Sequence, residues 1–175
     1  MRRTRLGRDV GDDVRVQRLG LTVDVPAGWD LRIFRRPAAD AATTNPVLHL
    51  ANFRLPENRG DFGGGAVERM GPENILVVLF EYDEQAASTP LFARRGRPVP
   101  SAADFSPRQL QRTLPGQSGV QYFYSDAGRA FCLYVVLGSH ARRAALVSTV
   151  RGLLQGLAVG PRARHGEAPV RRGSG

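Results

Sequence analysis

The sequence predicts an α+β fold: a largely antiparallel β-sheet flanked by helices, with a C-terminal amphipathic helix. Three observations carry this prediction. Two strand-length runs, "ILVVLFEY" (75–82) and "FCLYVVL" (131–137), are apolar on both faces and so require cover above and below. The stretch "GVQYFYSDAGRAFCLYVVLG" reads as two β-rich arms turning at Asp126, Ala127 and Gly128, a hairpin that argues against a doubly wound parallel sheet. Leu146, Val150, Leu153, Leu154 and Leu157 fall on one helical face, which covers one side of a sheet and leaves the other to further helices or loops.

Taken in order, the first elements lie in "GLTVDVPAGWDLRIF" (20–34). Leu21, Val23 and Val25 alternate with Thr22 and Asp24, and Trp29, Leu31 and Ile33 repeat the pattern after a break at Pro26, Ala27 and Gly28. A type I turn with Pro26 at its second position makes this a hairpin, and places Trp29 in the core. Removing a large aromatic from a core costs roughly 3–5 kcal/mol, the expectation for Trp29→Ala. A strand at "VLHLANF" (47–53) follows, with His49 on an inward face as a satisfied core histidine. The polar connection at 57–73 is long for a compact domain. After the apolar strand at 75–82, Glu81 and Asp83 are expected at its end in water. Ser106 and Pro107 suit the start of a short helix over 106–114. The final helix begins near Ser139 as N-cap and can stop at Gly156 or Gly160.

Composition sets the boundaries. The 175 residues are 42% hydrophobic, enough for one domain with its own core, and all 25 basic residues are Arg. Residues 1–20 hold six Arg and three Asp, and residues 161–175 hold four Arg and one Glu, so two thirds of the net +9 lies near the termini. The expected organisation is a flexible basic tail at 1–18, a single α+β domain at 19–160 and a disordered basic tail at 161–175. Such tails can bind nucleic acid or an anionic surface through counterion release, but neither carries an aromatic residue for base stacking. The Arg-rich start is not followed by an apolar run of signal length, and no stretch is long enough to span a membrane, so a cytoplasmic location is expected.

Absent residue types exclude chemistries. Without Lys there is no GxxxxGK[ST] phosphate loop, no Schiff-base lysine and no kinase lysine. Cys132 is the one cysteine, so no internal disulfide and no cysteine-based zinc site can form; His49, His140 and His165 are scattered. No metal or other cofactor is expected. "GQSGV" (116–120) has its second Gly one residue too early for a nucleophile elbow, and a strand follows it where a helix should. "GGG" (63–65) lacks the flanking strand and helix of a phosphate site, and "RGD" (59–61) is a coincidence unless the loop is displayed outside a cell.

The hydrophobic-x-V-x-V-P-x-G-W pattern over residues 19–34, with the hairpin and helix layout over 120–159, resembles PsbP and Mog1-like domains. The chain as a whole also resembles actinobacterial proteins, which implies no activity. The domain resemblance implies an antiparallel sheet between helices and a non-enzymatic adaptor role, binding other proteins or peripheral assemblies. The shared residues are structural, so no functional residue carries over.

The function expected is therefore a non-catalytic domain that binds an unidentified protein or small ligand through the 57–73 loop. Arg59, Asp61, Glu68 and Arg69 are its candidate contact residues. The alternatives are nucleic-acid or anionic-surface binding through the Arg tails, and an enzyme built from dispersed Glu, Asp, Arg and Tyr groups. Oligomeric state is not set by these patterns.

Overall fold

The computed structural model describes residues 12–36 and 44–162. Eight strands and one α-helix follow in the order β1 (Val14–Arg18), β2 (Leu21–Val25), β3 (Asp30–Arg35), β4 (Pro46–Ala51), β5 (Ile75–Glu81), β6 (Ser118–Asp126), β7 (Arg129–Leu137), α1 (Arg143–Gln155) and β8 (Leu157–Val159). They form two wholly antiparallel sheets, a small one in the order β1-β2-β8 and a large one in the order β3-β4-β5-β7-β6.

The doubly apolar runs behave as their composition requires. Every residue of β5 and β7 is buried, and β5 is the middle strand of the large sheet. One face of that sheet, with Ile33, Leu48, Leu50, Val77, Leu79, Leu133 and Val135, packs against α1 and against Leu21, Val23 and Val25 of the small sheet. α1 contributes Leu146, Val147, Val150, Leu153 and Leu154 to this core. Each such side chain removed from water stabilises the fold by about 1.5–3 kcal/mol. The opposite face, with Val47, Ala51, Leu76, Val78, Phe80, Cys132 and Tyr134, is covered by the connections after β4 and β5, which carry only short 3-10 turns.

Several expectations need correction. The segment 20–34 is not a hairpin: β2 pairs with β1 and β8, whereas β3 pairs with β4. The Pro26 turn, closed by Trp29 N–H donating to the Pro26 carbonyl at 3.1 Å, moves the chain from one sheet to the other. β2 instead turns back on β1 through Leu19 and Gly20, both at positive φ (53° and 73°), as a two-residue hairpin loop requires. Residues 14–18, assigned by composition to the basic tail, are therefore a strand. Residues 1–11 of that tail and residues 163–175 at the other end lie outside the described residues.

Among the described residues α1 is the single α-helix, so loops supply the second cover in place of further helices. α1 starts at Arg143 rather than at Ser139; Arg142 occupies the N-cap without a side-chain capping bond. Leu157, placed by periodicity on the helix, lies past Gly156 in β8, where pairing to Val23 replaces the helical turn. At 106–114 the helix reduces to the 3-10 turn Pro107–Gln109, where Ser106 Oγ accepts from Arg108 N–H at 3.2 Å. Ser106 and Gly119 pair across to β6, which draws the chain out of a helical path.

Candidate functional site

The loop after β4 lies over the sheet, burying Leu55, Ala66 and Val67 there and supplying His49 with its partners. His49 on β4 has no exposed surface. Its Nδ1 accepts from Arg59 Nε at 2.8 Å, so its proton sits on Nε2, which donates to the Asp61 carbonyl at 2.7 Å. Burial pushes the imidazole down to about 4, so it is neutral near pH 7. The Arg59 guanidinium also donates to the Pro56 carbonyl at 2.8 Å and lies 5.2 Å from the centre of the Phe34 ring, whose edge contacts His49.

The four predicted contact residues divide accordingly. Arg59 and Asp61 meet at His49, where a side chain and a backbone carbonyl complete a buried histidine; the Asp61 carboxylate lies 3.9 Å from Arg36 Nε. Glu68 accepts from Gly65 N–H at 2.7 Å and pairs with Arg112 at 2.7 Å. Its own backbone N–H, then that of Gly65 and the Arg112 charge, hold its carboxyl below the usual range. Arg69 is exposed at the end of the 3-10 turn Val67–Arg69. The structure gives Arg59, Asp61 and Glu68 loop-closing bonds and leaves Arg69 exposed.

Other motifs resolve into structure. Ser118 of "GQSGV" is buried as the first residue of β6. The Gly-rich stretch is tied by Gly60 N–H to the Gly64 carbonyl at 2.8 Å and by Ala66 N–H to the Gly63 carbonyl at 2.9 Å. Cys132 is fully buried, which pushes its thiol up to about 11, away from the range of a reactive thiolate. Among the described residues no three His, Cys, Asp or Glu side chains are grouped to hold a metal ion.

Glu81 corrects the expectation of a solvated strand end: it is 1% exposed. Arg129, 2% exposed, grips it through Nε to Oε1 at 3.0 Å and Nη2 to Oε2 at 2.6 Å. The same guanidinium donates to the carbonyls of Leu19, Gly20 and Gly160 at 3.2, 3.0 and 3.0 Å. One cation thus joins β5 and β7 of the large sheet to the β1–β2 turn and the end of β8. Arg162 reaches the outer side of Glu81 at 3.0 Å. A Cβ on Gly20 would stand 2.6 Å from Arg129 Nη1, so Gly20 answers both to its turn and to this joint.

A different region presents apolar surface. β1 is the outer strand of the small sheet and β3 the outer strand of the large one. Between them lies an open groove of about 390 Å³ lined by Val14, Val16, Val25, Trp29, Leu31 and Ile33, with Arg18 its charged lining residue. Val14 is 61% exposed. Trp29 is half-buried: it packs on the edge of the core and forms a wall of this groove as well as of a second cleft, with Asp24, Thr149 and Leu153. Sequence alternation identified Trp29, Leu31 and Ile33 but not the groove, because β1, its other lip, was hidden among charges. The chain has no match above chance among family models, curated proteins or solved structures.

Proposed function

We propose that the chain is a non-catalytic interaction module that takes an extended protein segment along the open edge of β1, with apolar side chains of that segment entering the groove beside Trp29. The observation that carries this reading is an outer strand, flanked by no other strand among the described residues on its far side, bearing exposed Val14 beside an apolar groove. Adding a strand to such an edge satisfies main-chain groups, and alternate side chains provide the selectivity. Of the other edges, β8 has three residues, β6 is bridged through Ser106 to Gly119 and Arg95 to Ser125, and β3 forms the facing wall of the same groove. The resemblance to PsbP and Mog1-like adaptors supports the same role, and a cytoplasmic protein without a cofactor goes with it.

Trp29 is the only Trp of the chain, so its emission reports events at its ring, and the Val16→Asp variant ties a response to this groove rather than to the cleft at Thr149 and Leu153. Titration with heptapeptides alternating valine with charged residues is expected to shift that emission, and Val16→Asp is expected to abolish the response. No response to any peptide, or an undiminished response in Val16→Asp, defeats the reading. A response to an apolar dye but to no peptide assigns the groove to a small ligand instead.

A further inference from the structure

We infer that the segment received by β1 is β1 of a second copy of this chain, paired antiparallel about a twofold axis at Arg15. This inference rests on the strand-addition reading above and names its partner. Three independent features of residues 12–18 converge on it.

The first is backbone direction. Arg15 stands opposite Asp24 in the β1–β2 pairing. Asp24 N–H donates away from β1, to the Gly156 carbonyl at 2.9 Å. Arg15 and Asp24 are therefore a non-hydrogen-bonded pair, and the N–H and C=O of Arg15 point to the open edge. The two-residue period gives Asp13 and Gln17 the same direction. In an antiparallel pair of identical strands, edge-facing residues must oppose edge-facing residues. Arg15 opposite the partner's Arg15, with Asp13 opposite the partner's Gln17, meets this requirement, each such pair exchanging both N–H to O bonds.

The second feature is charge. Residues 12–18 read "DDVRVQR", acidic at the start and basic at the end. The register about Arg15 sets Asp12 opposite the partner's Arg18, and the twofold repeats that contact in reverse. Asp12 and Arg18 are both exposed. On the other side of the ribbon the two Arg15 side chains come together, but each is already held by its own Asp24 through bonds of 2.7 and 2.9 Å, so the centre carries two Arg and two Asp. Shifting the register by two residues one way puts Val14 opposite the partner's Arg18 and loses both ion pairs; shifting it the other way puts Asp12 opposite the partner's Val16 and sets Asp13 against the partner's Arg15, whose guanidinium is already taken by Asp24, while Arg18 is left with no acidic partner.

The third feature is apolar fit. Val14, Val16 and Arg18 share the groove-lining side of β1. The register that pairs Asp12 with the partner's Arg18 also sets Val14 against the partner's Val16, in the closer, non-hydrogen-bonded type of pair. The partner's Val14 and Val16 then extend the apolar wall that begins at Trp29 and Leu31. The two small sheets become one continuous sheet in the order β8-β2-β1-β1-β2-β8.

Sedimentation velocity of the full chain over a dilution series tests the inference, with Asp12→Arg and Arg18→Asp as variants. Each variant alone places like charges at both symmetric contacts and is expected to weaken the dimer roughly tenfold or more. An equimolar mixture of the two is expected to restore it, because the heterodimer has opposite charges at both contacts. Circular dichroism of each variant verifies that it remains folded. A monomer at every concentration overturns the inference; if that monomer still shifts its Trp29 emission with the heptapeptides, only the identity of the partner falls, and if it does not, the strand-addition reading falls too. A dimer indifferent to both variants overturns the inference by placing the interface elsewhere.

Discussion

Replacing Arg129 with Met leaves a Glu81 carboxylate that is 1% exposed and keeps only Arg162, at 3.0 Å, as a charged partner. It also strips a donor from the carbonyls of Leu19, Gly20 and Gly160. Removing one member of a buried ion pair costs about 3–5 kcal/mol; the Gly20 carbonyl keeps the Gly160 N–H at 2.8 Å, and the half-buried Leu19 and Gly160 carbonyls add at most about 1 kcal/mol between them. Arg162 offsets part of this, so the expected loss is about 4 kcal/mol. Against a typical total of about 5–15 kcal/mol, the variant remains folded but marginal. Urea unfolding followed by circular dichroism reads the change as a shift in midpoint. The companion variant Arg129→Met/Glu81→Gln removes the uncompensated charge and leaves mainly the bonds lost at the Leu19 and Gly160 carbonyls, so it is expected to recover about 2 kcal/mol. Glu81→Gln alone gives the third corner of the cycle. A single-variant loss below about 1 kcal/mol, or a double variant no more stable than Arg129→Met, refutes the view that this pair is the joint between the sheets.

Three further outcomes are expected. Unfolded histidine protonates near 6.5, whereas buried His49 resists until about 4. Between those values the unfolded state binds the extra proton, so stability falls by about 3 kcal/mol as pH drops through the window, and His49→Gln should flatten that slope in pH-dependent urea melts. Trp29→Ala should cost roughly 2 kcal/mol in thermal unfolding, below the range for a fully buried aromatic, because one side of the half-buried ring lines open grooves; a loss above about 4 kcal/mol would return Trp29 to the core. Gly138→Ala would drive its Cβ into the Gly71 carbonyl, with the Asn74 carbonyl 3.3 Å away, so backbone must move and a loss of about 3 kcal/mol or more is expected. Gly64→Ala, with no atom within 4 Å of the added carbon, should change stability by less than about 0.5 kcal/mol on the same measurement.

Parts of the loop and groove were legible in residue types, but their roles were not. His49 reads as a core histidine from alternation alone, and it is one. That Arg59 and the Asp61 carbonyl complete it depends on a loop returning over the sheet, a contact between residues 10 and 12 positions away whose geometry no local pattern encodes. Arg59, Asp61 and Glu68 drew attention as polar groups on a long loop; the Arg59 and Glu68 side chains close that loop, whereas Asp61 does so through its backbone carbonyl.

The sequence by itself determined the elements whose signal is local. The unbroken apolar runs of β5 and β7, the turn at Ala127 and Gly128, and the helical spacing of Leu146, Val150, Leu153 and Leu154 each follow from side-chain periodicity and turn chemistry within one stretch of chain. The β6–β7 hairpin follows from that turn, but only the tertiary structure decided how the other strands pair. β2 and β3 have the alternation of a hairpin, yet each is satisfied by another partner, because alternation fixes a strand's faces and says nothing about who lies beside it. β1 was hidden for a related reason: its valines alternate with Arg and Gln, a composition equally suited to a solvated tail, until pairing with β2 orders it. Glu81 and Arg129 are 48 positions apart and unremarkable as single charges. Their burial follows from β5 and β7 lying side by side with the small sheet's turn above them, and a charge leaves water only where the fold has assembled its partners.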